Sequence, residues 1–261
     1  VIGGDGPARA AVTTKTGREK TMTNHKQGTQ EEWATARAEL LVREEEHTRL
    51  GQELARERRE LPWVPVEKDY RFETEDGTKT LTDLFDDRSQ LMVYHFMFGP
   101  AWDAGCPICS SIADTLAPQV AHLKARDTTL LLASRAPLPK LLAYRERMGW
   151  PIDWVSSSDS DFNRDVGFLS TQEELKPILE GEIPLVVEQN ARMCGTDAGG
   201  YLAEGSGLSV YALSDGKAYR SYVTTALEPV MAFYGLLDRT PKGRDESRAE
   251  YLWIRRHDEY E

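Results

Sequence analysis

The feature that most constrains the fold is the stretch Leu91 to Ala125. There a short apolar run, a loop, a Cys-Pro-Ile-Cys motif and a longer mixed segment follow one another. The eight residues Leu91 to Phe98 are apolar or aromatic except for His95, and Gly99-Pro100 ends them. A run so short reads as a strand buried in a sheet rather than as part of a helix. The loop Gly99 to Gly105 then delivers Cys106, and Pro107 follows at once. Proline suits the first turn of a helix, where its missing N–H has no intrahelical partner to lose. The spacing predicts a helix from Pro107 to about Lys124, with Cys106 at its mouth and Cys109 one turn inside.

That placement has chemical consequences. Unpaired N–H groups and the positive end of the helix dipole favour a thiolate at Cys106. Cys109, three residues on, is close enough to attack a mixed disulfide formed at Cys106. The pair has the layout of an attacking and a resolving thiol. Only three cysteines occur, at 106, 109 and 194, so this is no disulfide scaffold. A lone CxxC of this kind belongs to a reducing compartment, and the expected location is cytoplasmic.

The 32 basic and 43 acidic residues leave a net charge of −11, which argues against nucleic acid as a partner. No stretch approaches the apolar length needed to span a membrane. The first residues lack the continuous apolar core of a secretory signal. Met22 reads as a natural start, so residues 1–28 are taken as an upstream or disordered extension.

Thr29 to Glu60 is a helix candidate, with Thr29 and Glu32 spaced as a capping box and no proline inside. Trp33, Ala36, Leu40, Leu50, Leu54 and Leu61 recur at three- and four-residue steps, but Arg43, His47 and Glu57 interrupt the register. The expectation for 29–62 is an amphipathic arm lying on its own domain. The other use of such a face is packing against a second subunit, a homo-oligomer through the arm.

From residue 63 the chain alternates between strand and helix patterns. Tyr70 to Thr74 alternates as a strand, Glu75-Asp76-Gly77 turns, and Thr80 to Phe85 is a short segment. After the cysteine helix come a buried strand at Thr128–Ser134, a helix at Pro137–Met148 and a strand at Ile152–Ser156. Two strand–helix–strand units in succession imply a sheet covered by helices on both faces. The cysteines then lie beyond the carboxyl end of a strand, where open α/β sheets place their sites. Residues 170–205 read as an insertion of short helix and loop. Leu208–Leu213, Asp215-Gly216 and Ala218–Thr224 form a hairpin, and Pro229–Leu237 a closing helix. The domain ends near residue 240, and a polar tail occupies 241–261.

The segments YHFMFGPAWDAGCPICS, SRAPLPKLLAYRERMGW, SDSDFN, GLSVYAL, TPKGRDE and WIRRHDEY together resemble domain-of-unknown-function family 899. That family is thioredoxin-like and is described as predicted dithiol–disulfide oxidoreductases. The resemblance runs from about Thr29 to the C-terminus. It implies an α/β, thioredoxin-like central mixed sheet with helices on both faces, here with a long N-terminal helical arm. It also implies a redox centre at Cys106 and Cys109, a thiol or disulfide substrate and an external reductant.

Departures from better-known relatives narrow this reading. Thioredoxins carry CGPC, whereas Cys106-Pro-Ile-Cys109 is similar to the CPxC of glutaredoxins. The late hairpin begins Ser206-Gly207-Leu208, without the cis-proline that faces the disulfide in thioredoxins. Peroxiredoxins place a threonine three residues before the peroxidatic cysteine, and here that position is Asp103. The cysteine loop favours dithiol exchange. A thiol peroxidase and a non-catalytic metal- or partner-binding module are the alternatives.

The expected catalytic set is Cys106, Cys109, Trp102 beside the loop and Arg135 at the carboxyl end of a strand, where it stabilises a thiolate. No second CxxC or HxxxH completes a zinc site, so no metal is assigned. No glycine-rich phosphate loop is visible, and no cofactor is required. Cys194 reads as structural and His95 as a satisfied sheet histidine. Asp103 either raises the Cys106 pKa by like charge or caps the loop, and Arg255, Arg256 and His257 read as a salt-bridged tail.

Overall fold

A computed structural model of the chain describes residues 25–246 and 251–261. The extension expected over 1–28 and the Met22 start lie, up to residue 24, outside the described residues.

Helix α1 spans Gln30–Glu60. Its capping box forms as the spacing requires: the Glu32 N–H donates to the Thr29 hydroxyl at 3.1 Å and the Thr29 N–H to the Glu32 carboxylate at 2.7 Å. The expected packing of this arm on its own domain is corrected, because none of its residues is buried. Trp33 is 61% exposed and Leu40, Leu50 and Leu54 between 45% and 49%. Other charged residues pair along the helix instead, as Arg49 does with Glu46 and Glu53, and Arg56 with Glu60.

The strands are β1 (Val64–Pro65), β2 (Arg71–Thr74), β3 (Gly77–Thr80), β4 (Gln90–His95), β5 (Thr128–Ser134), β6 (Asp153–Ser156), β7 (Gly207–Ser214) and β8 (Lys217–Thr224). The helices after α1 are α2 (Pro107–Leu116), α3 (Val120–Lys124), α4 (Leu138–Met148), α5 (Phe162–Val166), α6 (Gln172–Leu179), α7 (Leu185–Cys194), α8 (Ala198–Ala203) and α9 (Ala232–Leu237). Among the described residues the strands form one mixed sheet in the order β1-β8-β7-β4-β5-β6-β2-β3. Strands β4, β5 and β6 are parallel neighbours, and β7 runs antiparallel to β4. This is the thioredoxin-like α/β architecture.

Period-two alternation along β4 divides the core. Tyr94 packs with α2, α4, α7 and α9 on one face, while Leu91 and Val93 pack with Phe85, Phe162 and Tyr211 on the other. Both faces are covered, but unequally. The crossovers β4-α2-β5 and β5-α4-β6 step in one direction across the sheet, so their helices share a face. The second face is closed by α5 and by the short helical turn Asp83–Phe85.

Local departures from the expected elements have local causes. Pro118 lies in a 3-10 turn at Ala117–Gln119 that separates α2 from α3, where one continuous helix was expected. A proline inside a helix removes one backbone bond and crowds the preceding turn. Residues 170–205, read as an insertion of short helix and loop, hold three short helices, α6 to α8, and Thr171 with Glu174 forms a second capping box. The late hairpin turns at Asp215-Gly216, both at positive φ (50° and 73°), as a two-residue connection demands. No described helix is long and apolar enough to cross a membrane.

Candidate functional site

The site is assembled from the end of β4, the following loop, α2, α8 and the start of β7. Phe96–Phe98 leaves the strand ladder yet stays buried, and the Cys106 N–H donates to the Met97 carbonyl at 3.1 Å. Cys106 is the N-cap of α2 and Pro107 its first residue, as the sequence predicts. The Cys109 N–H points at the Cys106 Sγ at 3.5 Å. Both thiols are 1% exposed and unpaired.

Two side chains that the sequence did not single out complete the first contacts. The Tyr201 hydroxyl, from α8, lies 3.1 Å from the Cys106 Sγ. The Ser206 hydroxyl lies 3.5 Å from the Cys109 Sγ and 3.1 Å from the Tyr94 hydroxyl. Ser206 therefore occupies the approach to the dithiol at the head of β7, where the expected departure from a proline left the position open. Gly207, beside it, is held by packing: a Cβ there would stand 2.2 Å from the Phe168 ring.

Trp102 is brought to the site, although not to a sulfur. Its ring stacks on Tyr201 with centroids 5.5 Å apart and planes 12° from parallel. It holds the phenol that meets Cys106. Arg135 donates to the Glu204 carboxylate at 2.9 Å rather than to either thiol. Glu204 is the C-cap of α8, so this ion pair fixes the helix that carries Tyr201. Burial raises the Glu204 carboxyl pKa, and Arg135 opposes that rise.

The electrostatics correct one expectation. Burial pushes the Cys106 thiol well up, and its neighbour Cys109 adds to the shift, outweighing the helix N-terminus. Burial also opposes ionisation of Cys109. Hydrogen bonds from Cys106, Ser206, Tyr94 and the Met97 backbone outweigh it and bring that thiol down to about 7. In this closed arrangement Cys109 is the more readily ionised sulfur of the pair.

Cys194 is fully buried, and burial pushes its thiol up to about 12. The Asp103 carboxylate lies against Gly195, where a Cβ would stand 2.1 Å from it, and the Asp103 N–H donates to the Cys194 carbonyl at 2.8 Å. His95 is on the opposite sheet face, with its Nε2 2.7 Å from the Ser209 hydroxyl and its ring against Phe162 and Phe168. Burial pushes its pKa down to about 3. Among the described residues no cluster of three or more His, Cys, Asp or Glu side chains is placed to hold a metal ion.

Two of the three tail residues pair as expected, His257 with Asp114 at 2.6 Å and Arg256 with Glu259 at 2.9 Å, whereas Arg255 donates to the Leu252 and Ile254 carbonyls at 2.8 Å. Arg256 also does something its spacing gave no sign of. Its guanidinium, 3% exposed, donates to the Gly105 carbonyl at 2.7 and 3.1 Å and to the Met193 carbonyl at 2.8 Å. It clamps the residue before Cys106 to the end of α7.

No curated protein matches the chain. Solved structures that resemble it include a cysteine-to-serine mutant of PrxQ from Xylella fastidiosa, at 14% identity and a TM-score of 0.39, covering 67% of this chain and 94% of that one. Peroxidoxin BcpB from Mycobacterium tuberculosis resembles it at 12% identity and a TM-score of 0.38, covering 66% and 93%. A putative thioredoxin from Neisseria meningitidis does so at 17% and 0.31, covering 42% and 67%. Residues 22–260 match one family throughout, and the chain belongs to that family, described as "Bacterial protein of unknown function (DUF899)".

Proposed function

We propose that Cys106 and Cys109 are a dithiol–disulfide exchange centre. The observation that carries this reading is two thiols one helical turn apart, with hydrogen-bond partners at each sulfur. In the first step the Cys109 thiolate takes the Cys106 proton, and the Cys106 thiolate attacks one sulfur of a disulfide RSSR. An RS⁻ group leaves and takes the proton back from Cys109. The Tyr201 hydroxyl and the Cys109 N–H stabilise the charge on Cys106 while the proton is away. The Cys109 thiolate then attacks the Cys106 Sγ and expels the second RS⁻, which is protonated by solvent. Two electrons have passed to the substrate, and an external dithiol reopens the Cys106–Cys109 disulfide.

A redox titration in glutathione buffers, with free thiols counted by mass after alkylation, tests the reading. Reversible loss of the 106 and 109 thiols together is the expected result. Thiols that never oxidise would sink it, and a sulfenic acid trapped by dimedone after peroxide would favour the peroxidase alternative.

The acidity of Cys109 also sets a pH dependence. Only the thiolate reacts with a small alkylating agent, so the rate should be low in acid, rise through about pH 7 and level off above it. In Ser206→Ala one hydrogen bond to the Cys109 anion is gone. The rise should move upward by about one pH unit, the equivalent of one charge-assisted hydrogen bond partly replaced by water. An unmoved profile would show that Ser206 only packs.

A further inference from the structure

A thiolate that exchanges with RSSR must touch one of its sulfurs, yet Cys106 and Cys109 are each 1% exposed. Both lie in one apolar cluster with Trp102 and Tyr201. An element over the pair therefore has to move before a substrate sulfur can arrive.

Two of the elements around the pair are tied down. Strands β4 and β7 beneath it are paired from Gln90 to His95. The loop that leads into Cys106 is fastened at several points. Its Asp103 N–H donates to the Cys194 carbonyl, Lys140 donates to the Pro100 and Trp102 carbonyls, and Arg256 to that of Gly105.

Helix α8, which lays Tyr201 on Cys106, is held more lightly. It has six residues, of which only Tyr201 is buried. Two of the six, Gly199 and Gly200, each weaken a helix relative to alanine. Asp197 caps its first turn by accepting from the Gly200 N–H at 2.7 Å. Three contacts keep it closed: the Trp102 ring on Tyr201, the Arg135–Glu204 ion pair, and the Ser170 N–H on the Ala203 carbonyl at 2.9 Å. Short segments that bury few side chains are the ones that open locally while the core stays folded.

We propose that α8 is a gate over the dithiol. It opens locally to admit the substrate disulfide and closes to bring the Tyr201 hydroxyl back beside the reacting Cys106, so its opening governs access to the centre. The gate rests on the dithiol-exchange reading, since only a centre that meets a substrate needs one.

Iodoacetamide labelling of the reduced full chain, followed by mass, tests this together with amide hydrogen exchange. Corrected for thiolate fraction, labelling of the pair should run at least about tenfold slower than in the unfolded chain, because the open form is a minor state. Arg135→Met removes one contact that closes α8 and should speed labelling about tenfold or more. Gly199→Ala should act in the opposite sense. Its new Cβ would meet Asp197 and Leu179 at 3.5 Å, an ordinary contact, and the firmer helix should slow labelling about two- to fivefold. In the native chain the α8 amides should exchange faster than those of β4 and β5, and Arg135→Met should widen that gap. If Arg135→Met loses protection in β4 and β5 as well, Gly199→Ala decides alone. Labelling at the unfolded rate, labelling unchanged by Gly199→Ala, or α8 amides that exchange only together with β4 and β5 would overturn the gate. Alkylation needs no disulfide chemistry, so a chain that labels as expected but never oxidises in glutathione buffers would sink the exchange reading and leave the gating of the thiols standing.

Discussion

Cys106→Ser is expected to abolish reversible two-electron oxidation altogether, because no disulfide can form without the sulfur at the N-cap of α2. Cys109→Ser should behave differently. The mixed disulfide at Cys106 loses its resolving partner and accumulates as an adduct that is stable to mass analysis until reductant is added. In this variant Cys106 also loses the sulfur that takes its proton, so adduct formation itself should slow at neutral pH. Cys194 supplies the internal comparison. Its thiol is buried and held protonated, and Cys194→Ser should leave the redox step in place. A Cys109→Ser protein that still turned over at the native rate would refute the resolving step.

Arg256→Ala should cost about 3–5 kcal/mol of stability, the range for removing one partner from a buried charged network. Two carbonyls, those of Gly105 and Met193, lose their guanidinium donor at once. For a domain of this size that corresponds to a thermal midpoint lowered by roughly 10 °C. The same change frees the residue before Cys106, so alkylation of Cys106 should become faster as the loop opens. Arg256→Lys should recover only part of the loss, because one ammonium cannot reproduce the planar fork that reaches both carbonyls and Glu259. A midpoint within about 2 °C of the native value would show that the clamp contributes little.

These two substitutions fall on opposite sides of what the sequence reveals. The strand, the loop and the CPIC motif at the mouth of α2 are legible because each depends on neighbours within a few residues. An apolar run ended by Gly99-Pro100 cannot extend further, and Pro107 fits only an early helix position. The capping box at Thr29 and the Asp215-Gly216 turn are local in the same sense. The arm misleads because its three- and four-residue apolar steps describe a face without saying what lies opposite. Among the described residues nothing buries it.

The partners of the sulfurs are another matter. Tyr201 stands 95 residues from Cys106 in the chain, inside a stretch whose periodicity is weak, and Arg256 comes to Gly105 across 151 residues. No spacing rule links positions so far apart. Arg135 reads as a residue for the thiolate because it ends β5, but the carboxylate that reaches it is Glu204, and the effect passes to Tyr201 through α8. The acidity of the pair follows the same logic. A helix N-terminus alone favours a thiolate at Cys106, whereas full burial and the donors from Ser206, Tyr94 and Met97 shift the first charge to Cys109. The sequence by itself determined the thioredoxin-like order of elements and the place of the two cysteines, because backbone hydrogen bonding and periodicity are short-range. Only the tertiary structure decided which side chains face those sulfurs and which sulfur ionises, because desolvation and hydrogen bonding depend on every element packed around them.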